Sequence, residues 1–462
     1  WGELCPEKLI GDFALAVASP KTGVLFLARD VMGVKPLFYR ADADGLCFAS
    51  SAAAFKAFKR GTLTPDRDWM ARFLLEVSFS HDATAYRELK KLPPAHSLLV
   101  HADGRMHLRR YHRFVDDAPA AAARDPEYLE AYRAVWREAV ACRMPASGPI
   151  GSENSGGLDS GSVTAEIARQ LGDGIHRLYG FGYAFDALEP QAIMAVAKHC
   201  RMTNQFLCAG PEDEPPEGWA ARELRIAGYP NEHPNGTSHA LFYEECRLHG
   251  IGTLFSGFGG DEGVTVNGLS LRRELFDRRA WLALWDVLPG ALPARAARFG
   301  LTCWRGLQPL PTGEGRARPV SFIRPEALAL AGRREADIVA SYDPMQFARV
   351  NDHVLRRLAE AYVPTRLENC TLMASAYGVD YAWPLLDARL LQQWLSTPSI
   401  WKLGPNGVTR YLHRRAIEPA GPAEMVWIRS KDMGNAAALR YWAEKEQTRL
   451  FRRMLALSEA MP

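Results

Sequence analysis

Ser155-Gly156-Gly157-Leu158-Asp159-Ser160 is the stretch on which the reading of this fold turns. It lies between a short strand-like run and a helical pattern in which Val163, Ile167 and Leu171 recur at i, i+4 and i+8; that pattern predicts a helix starting near Gly161. Two glycines let the backbone approach an anion, and a helix start offers free N–H groups at a positive dipole end. Ser155 and Ser160 add hydroxyl donors. Asp159 would repel a bare phosphate, so its presence implies a divalent cation between carboxylate and phosphate, with Mg²⁺ the first choice. The plainer reading is a glycine turn with a serine cap. No Gly-Lys-Ser/Thr follows, so the loop is not of the Walker type.

A second turn repeats the logic. Ser256-Gly257-Phe258-Gly259-Gly260-Asp261-Glu262 follows the apolar run Ile251 to Phe255. Around the two turns, Arg177 to Tyr183 and Gln205 to Cys208 read as strands, and Pro190 to Cys200 and His239 to Leu248 as helices. This alternation predicts a parallel sheet with helices on both faces, and both turns would then emerge at its carboxyl edge, where ligands bind. Ser155, Gly156, Gly157, Asp159, Ser160, Ser256, Gly257, Gly259 and Gly260 are the expected phosphate-binding residues. Asp159 and Asp261 are the expected metal ligands, holding one or two ions from opposite sides.

Residues 10–50 alternate short apolar segments with glycine turns, and Ser97 to Val100 and Met106 to Leu108 flank the turn Asp103-Gly104. The first ~115 residues therefore read as mainly β, with a helical stretch at 66–77. Asp116 to Arg124 reads as a linker, and a helix from Asp125 opens a second unit that becomes helical and Arg-rich beyond 270. The chain begins at Trp1 inside an ordered pattern, which predicts a segment preceding it.

Composition narrows the function classes. The chain has 462 residues, 56 Lys plus Arg against 53 Asp plus Glu, and a formal charge of +3, a balance that argues against a dedicated nucleic-acid binder. No apolar run is long enough to span a membrane, and no secretory signal opens the chain, so a cytoplasmic protein is expected. The eight cysteines form no CxxC pair, which removes zinc-ligand and disulfide-framework readings.

The two turns together resemble the synthetase domain of the asparagine synthetase superfamily, a branch of the PP-loop ATP pyrophosphatases. Leu9 to Ala16, Leu27-Ala28-Arg29-Asp30, Gly33 to Tyr39 and Phe48-Ala49-Ser50 resemble the later half of a class II glutamine amidotransferase domain. Leu92 to His96 and Arg110-Tyr111 resemble the stretch between the two domains. Trp383 to Asp387, Thr409 to Leu412 and Arg429-Ser430-Lys431 are similar to further family segments. The resemblance implies an N-terminal, mainly β, Ntn-type unit over 1–118. It also implies an ATP-dependent amide-forming unit over 119–462, with a parallel sheet and a helical extension. It implies ATP and Mg²⁺, a carboxylate activated as its adenylate, and an amine that attacks it. By the same resemblance Phe181 would pack beside adenine and Lys431 would reach the reacting phosphate or the tetrahedral intermediate.

Several residues depart from the asparagine synthetase pattern. Phe258 fills a slot where those enzymes carry an acid and β-lactam synthetases a tyrosine, so the usual proton acceptor is absent. The segment after Glu262 diverges. In the segment Asp380 to Pro384, which reads as helical, Asp380 and Ala382 stand where a glutamate and an arginine are usual, leaving Asp380 as a catalytic candidate. Glu153-Asn154 precede the first turn in place of apolar residues, and Ser51 replaces a glutamate, which points to a degenerate glutaminase half. An intact adenylating half beside a degenerate glutaminase is similar to macrolactam-forming members, the lasso-peptide cyclases, whose nucleophile is an amine on the substrate itself. A precursor peptide, and a leader-binding or protease partner, are then the expected partners. Arg272, Arg273, Arg278, Arg279, Trp281, Trp285 and Trp304 would line a peptide groove or, more plainly, an amphipathic helix pair.

Overall fold

The computed structural model describes residues 1–42, 45–57, 62–74, 79–120, 123–184, 189–208, 218–232, 239–310 and 343–428. Lys431 and the stretch 311–342 lie outside the described residues.

The N-terminal unit is mainly β, as its turn spacing predicts. Strands β1 (Ala14–Ser19), β2 (Val24–Arg29), β3 (Phe38–Asp42), β4 (Gly45–Ala49), β5 (Lys90–Lys91), β6 (His96–Val100) and β7 (Met106–Arg110) form two antiparallel sheets, in the orders β1-β2-β6-β7 and β4-β3-β5. The hairpin β6–β7 turns at Asp103, whose carboxylate accepts the Arg105 N–H. The helix expected at 66–77 is Arg67–Leu74.

The second unit opens on the helix Pro126–Ala141, with Asp125 accepting the Glu127 N–H at its N-cap. Its five-stranded sheet is parallel throughout: β8 (Ile150–Glu153), β9 (Leu178–Tyr183), β10 (Asn204–Cys208), β11 (Thr253–Phe255) and β12 (Asp380–Ala382). Spatially the order is β10-β9-β8-β11-β12. β12 corrects the sequence reading, which treated Asp380 to Pro384 as helical. Three residues carry no periodicity, and only pairing with Thr253 to Phe255 makes them a strand. The linker reading of Asp116 to Arg124 is corrected in part, because Asp116 pairs with Arg349 at 2.6 Å and the Arg124 guanidinium donates to the Ile400 and Leu403 carbonyls. No helix among the described residues is long and apolar enough to cross a membrane.

The two units share a buried seam. Met32 and Val34 enter the core built around Trp136, Phe255, Trp383 and Trp394, so N-terminal side chains complete the second unit's interior. Beside them Arg29 pairs with Glu368 at 2.8 Å, and Lys91 bridges Glu232 at 2.7 Å and Glu368 at 3.1 Å. Burial alone would raise the Glu368 pKa, but Lys91 and Arg29 hold it below the ordinary carboxylate value.

Candidate active site

The winding of the parallel sheet places the site. The chain runs outward from β8 through β9 to β10, then restarts on the other side of β8 at β11. The crevice between β8 and β11, beyond their carboxyl ends, is therefore the topological switch point where open α/β sheets bind ligands. β8 leads into the first glycine turn and β11 into the second, so the tertiary structure brings both to one crevice.

The first turn is held by its neighbours. Asn154 is buried; its Oδ1 accepts the Gly156 N–H, and its Nδ2 donates to the Ile193 carbonyl and to Gln205. The Ser155 N–H donates to Ser160 Oγ at 3.0 Å, and the two hydroxyls lie 2.8 Å apart. The helix runs Leu158–Leu171, starting three residues before the predicted Gly161, with Gly157 as an N-cap that makes no side-chain cap bond. Asp159 and Ser160 thus lie in a first turn whose N–H groups no side chain caps, a ready anion site.

The second turn packs directly against the first. A Cβ on Gly257 would stand 2.3 Å from the Ser160 nitrogen, and one on Gly260 would stand 2.8 Å from Asp159 Cγ. Only glycine permits that approach. The Ser256 N–H donates to the Ala382 carbonyl, tying the turn to β12, and Gly259 follows Phe258 with a φ of +94°. Glu262 is buried against Arg357 at 2.9 Å. Asp261 by contrast is 39% exposed and ion-paired with Arg410 at 2.6 Å.

The residues present fit Mg²⁺ with ATP. Among the described residues no group of three or more His, Cys, Asp or Glu forms a metal cage. Mg²⁺ typically takes one or two carboxylates and completes its shell with substrate phosphates and water. Asp159, against the glycine cradle, and Asp261 are the two carboxylates that would hold it. The ion would offset charge on the departing pyrophosphate. Arg410, which the sequence reading placed in a family segment without a role, adds a fixed cation at the same place.

Two candidates do not join this arrangement. Phe181 is fully buried, its ring 5.6 Å from Phe206 and 5.8 Å from Phe242, so it packs within the core and offers no open face to adenine. Tyr183, two residues on and therefore on the same face, is the aromatic nearer the edge. Asp380 begins β12, at the amino edge opposite the turns, and its carboxylate pairs with Lys35 of the N-terminal unit. Lys431 is outside the described residues.

Phe258 occupies its slot without a proton acceptor. Its ring meets Trp383 and Tyr362 edge-on at 5.8 and 6.2 Å, and the Arg366 guanidinium lies 3.8 Å over its face. Below it, Glu153 accepts hydrogen bonds from Ser256 and Tyr381, with His239 beside it. The sequence reading marked Glu153 as a departure and gave His239 and Arg366 no role; an unusual carboxylate at a strand end was the one available signal.

Residues 131–461 match the family described as asparagine synthase, and residues 1–112 that described as a glutamine amidotransferase domain. Glutamine-hydrolysing asparagine synthetase 1 of Bacillus subtilis is 21% identical over 483 residues, covering 99% of this chain and 72% of that protein. Glutamine-hydrolysing asparagine synthetase 3 of the same organism is 31% identical over 169 residues, which is 36% of this chain and 27% of that protein. Amidase chry2 of Gibberella zeae is 30% identical over 174 residues, 36% of this chain and 25% of that protein.

Proposed function

The chain belongs to the asparagine synthase family, and on that premise we propose that it uses ATP and Mg²⁺ to adenylate a carboxylate and join it to an amine carried by the same substrate. This is macrolactam formation of the lasso-peptide cyclase type, with a precursor peptide as substrate. A carboxylate is a poor electrophile until its oxygen becomes a leaving group. Transfer to the α-phosphorus needs charge stabilisation on pyrophosphate, which the uncapped N–H groups of the Leu158–Leu171 helix, Arg410 and the bound metal would provide.

The observation that carries the finer reading is Phe258 under the Arg366 guanidinium. The slot that holds an acid in glutamine-fed relatives is sealed by an aromatic and a cation, neither of which accepts a proton. An α-amine, with a pKa near ~7.7–8.0, is partly neutral at physiological pH and asks less of a base. Ser51 supports the same reading. Its hydroxyl accepts the Ala53 N–H and donates to the Ile226 carbonyl of the second unit, a structural employment. Exposed Leu282, Leu292, Trp304 and Leu307, alongside arginines, suit an apolar peptide.

A second reading, glutamine-dependent asparagine synthesis, rests on the names of the relatives. Mass spectrometry decides between them. Linear peptides with a free N-terminal amine and an internal Asp or Glu should lose one water, with AMP and pyrophosphate formed. Asparagine and AMP from aspartate and glutamine, with no peptide product, would give the case to the second reading.

A further inference from the structure

Glu153 ends β8 at the lip of the crevice, where the resemblance predicts an apolar side chain. Its Oε2 accepts the Ser256 hydroxyl at 2.5 Å, and its Oε1 accepts the Tyr381 hydroxyl at 2.7 Å and lies 3.0 Å from His239 Nδ1. Burying a carboxylate costs several kcal/mol unless donors fill its lone pairs. Here three donors arrive from β11's end, from β12 and from the residue before the helix Ala240–Leu248. Burial would push the Glu153 pKa up, yet His239, Ser256 and Tyr381 hold it below the ordinary value. Glu153 is thus charged, but its oxygens are already engaged. It orients a neighbour.

That neighbour is His239. Its Nδ1 faces Glu153 Oε1 and the Tyr381 hydroxyl, the latter at 3.1 Å. A carboxylate against Nδ1 keeps the proton there and leaves the acceptor lone pair on Nε2. Among the described residues, Nε2 has no hydrogen-bond partner. The ring lies beside Tyr183 at 6.2 Å and Phe242 at 5.4 Å, above the carboxyl ends of β8 and β9. Nucleophile activation on many folds uses this order: a carboxylate, an imidazole it orients, and a free ring nitrogen.

We propose that His239, oriented by Glu153, is the general base of amide formation, replacing the acceptor that Phe258 eliminates. The proposal rests on the amide-forming reading above. The amine nitrogen's lone pair forms the bond to the acyl-adenylate carbonyl carbon. The bond from that carbon to the phosphate oxygen breaks, and AMP departs with its electron pair. The proton shed by nitrogen passes to His239 Nε2 and then to solvent. Glu153 is a positioning residue.

The test uses two nucleophiles competing for one adenylate. Wild-type protein, His239→Ala, His239→Gln and Glu153→Gln receive ATP, Mg²⁺ and hydroxylamine. The carboxylate is either a linear peptide with a free N-terminal amine and an internal Asp or Glu, or L-aspartate with ammonium chloride. Hydroxylamine is weakly basic, arrives neutral and needs no base. The amide-to-hydroxamate ratio should fall about 10²-fold in both His239 variants, with hydroxamate and pyrophosphate release within about threefold of wild type. Imidazole should restore amide to His239→Ala, and Glu153→Gln should lower the ratio part-way. The ratio is set after adenylation in each active molecule, so it is independent of how much variant folds. An unchanged ratio overturns the base. No hydroxamate or amide from the wild-type protein overturns the amide-forming reading, and the base with it.

Discussion

At the seam between the two units, Arg29, Lys91, Glu232 and Glu368 lie together, none more than 7% exposed. Each faces an opposite charge within 3.1 Å. At the crevice the carboxylates are treated differently. Glu153 is met by two hydroxyls and an imidazole, while Asp261 keeps 39% exposure on its ion pair with Arg410. The first cluster pairs cation with anion and shows nothing to solvent, so its work is cohesion. The second leaves an imidazole nitrogen and an accessible carboxylate beside glycine turns, which is the arrangement chemistry needs. Buried charge by itself therefore does not mark a site; what the charge leaves unspent does.

The contrast breaks most sharply at the two carboxylates proposed to hold the metal. Asp159→Asn and Asp261→Asn should each lower ATP-dependent pyrophosphate release by about 10³-fold or more, while the thermal midpoint barely moves. Near-wild-type adenylation in either variant removes the metal assignment. The reverse holds at the seam. Glu368→Leu takes the carboxylate from Arg29 and leaves Lys91 with Glu232 alone, and should cost about 3–5 kcal/mol in urea unfolding, with pyrophosphate release per folded molecule unchanged. A wild-type midpoint would show the seam to be dispensable.

Lys431→Met tests the resemblance beyond the described residues. Turnover should drop by about 10²-fold while ATP binding changes little, because a fixed ammonium matters most in the transition state. Unchanged turnover demotes it to a solvated loop lysine. The smallest effect concerns Asp387, which caps the helix Ala388–Ser396 and pairs with Arg143 at 2.6 Å. Burial opposes ionisation there, but Arg389 and Arg143 lower its pKa from 3.8 to about 2. A depressed carboxylate stabilises the fold above the unfolded pKa, and that stability is lost as pH falls from about 4 through about 2. It amounts to about 2 kcal/mol. The urea midpoints of wild type and Asp387→Asn should converge over that window; parallel curves would contradict the ion pair's role.

Much of this was legible beforehand because it is written locally. The helix after the first turn follows from apolar spacing, and β6–β7 from the Asp103-Gly104 turn signal between alternating segments. The meeting of the two turns at the candidate site was legible in their glycines, since a backbone that must approach another backbone tolerates few alternatives. Phe181 and Asp380 were misplaced for a shared reason. A family position carries over a residue's place in the chain, but burial behind Phe206 and Phe242, or an ion pair to Lys35, depends on partners far away.

Sequence alone thus determined the class of sheet, the two glycine turns and the family, each encoded within a dozen residues or so by periodicity and the need for glycine. Tertiary structure alone decided which charges meet. Glu153 reaches Ser256 across 103 residues and Tyr381 across 228. Those contacts exist because β11 and β12 are laid beside β8 in the order of the sheet. Strand order is a global outcome of burying both faces, and no window of local sequence contains it.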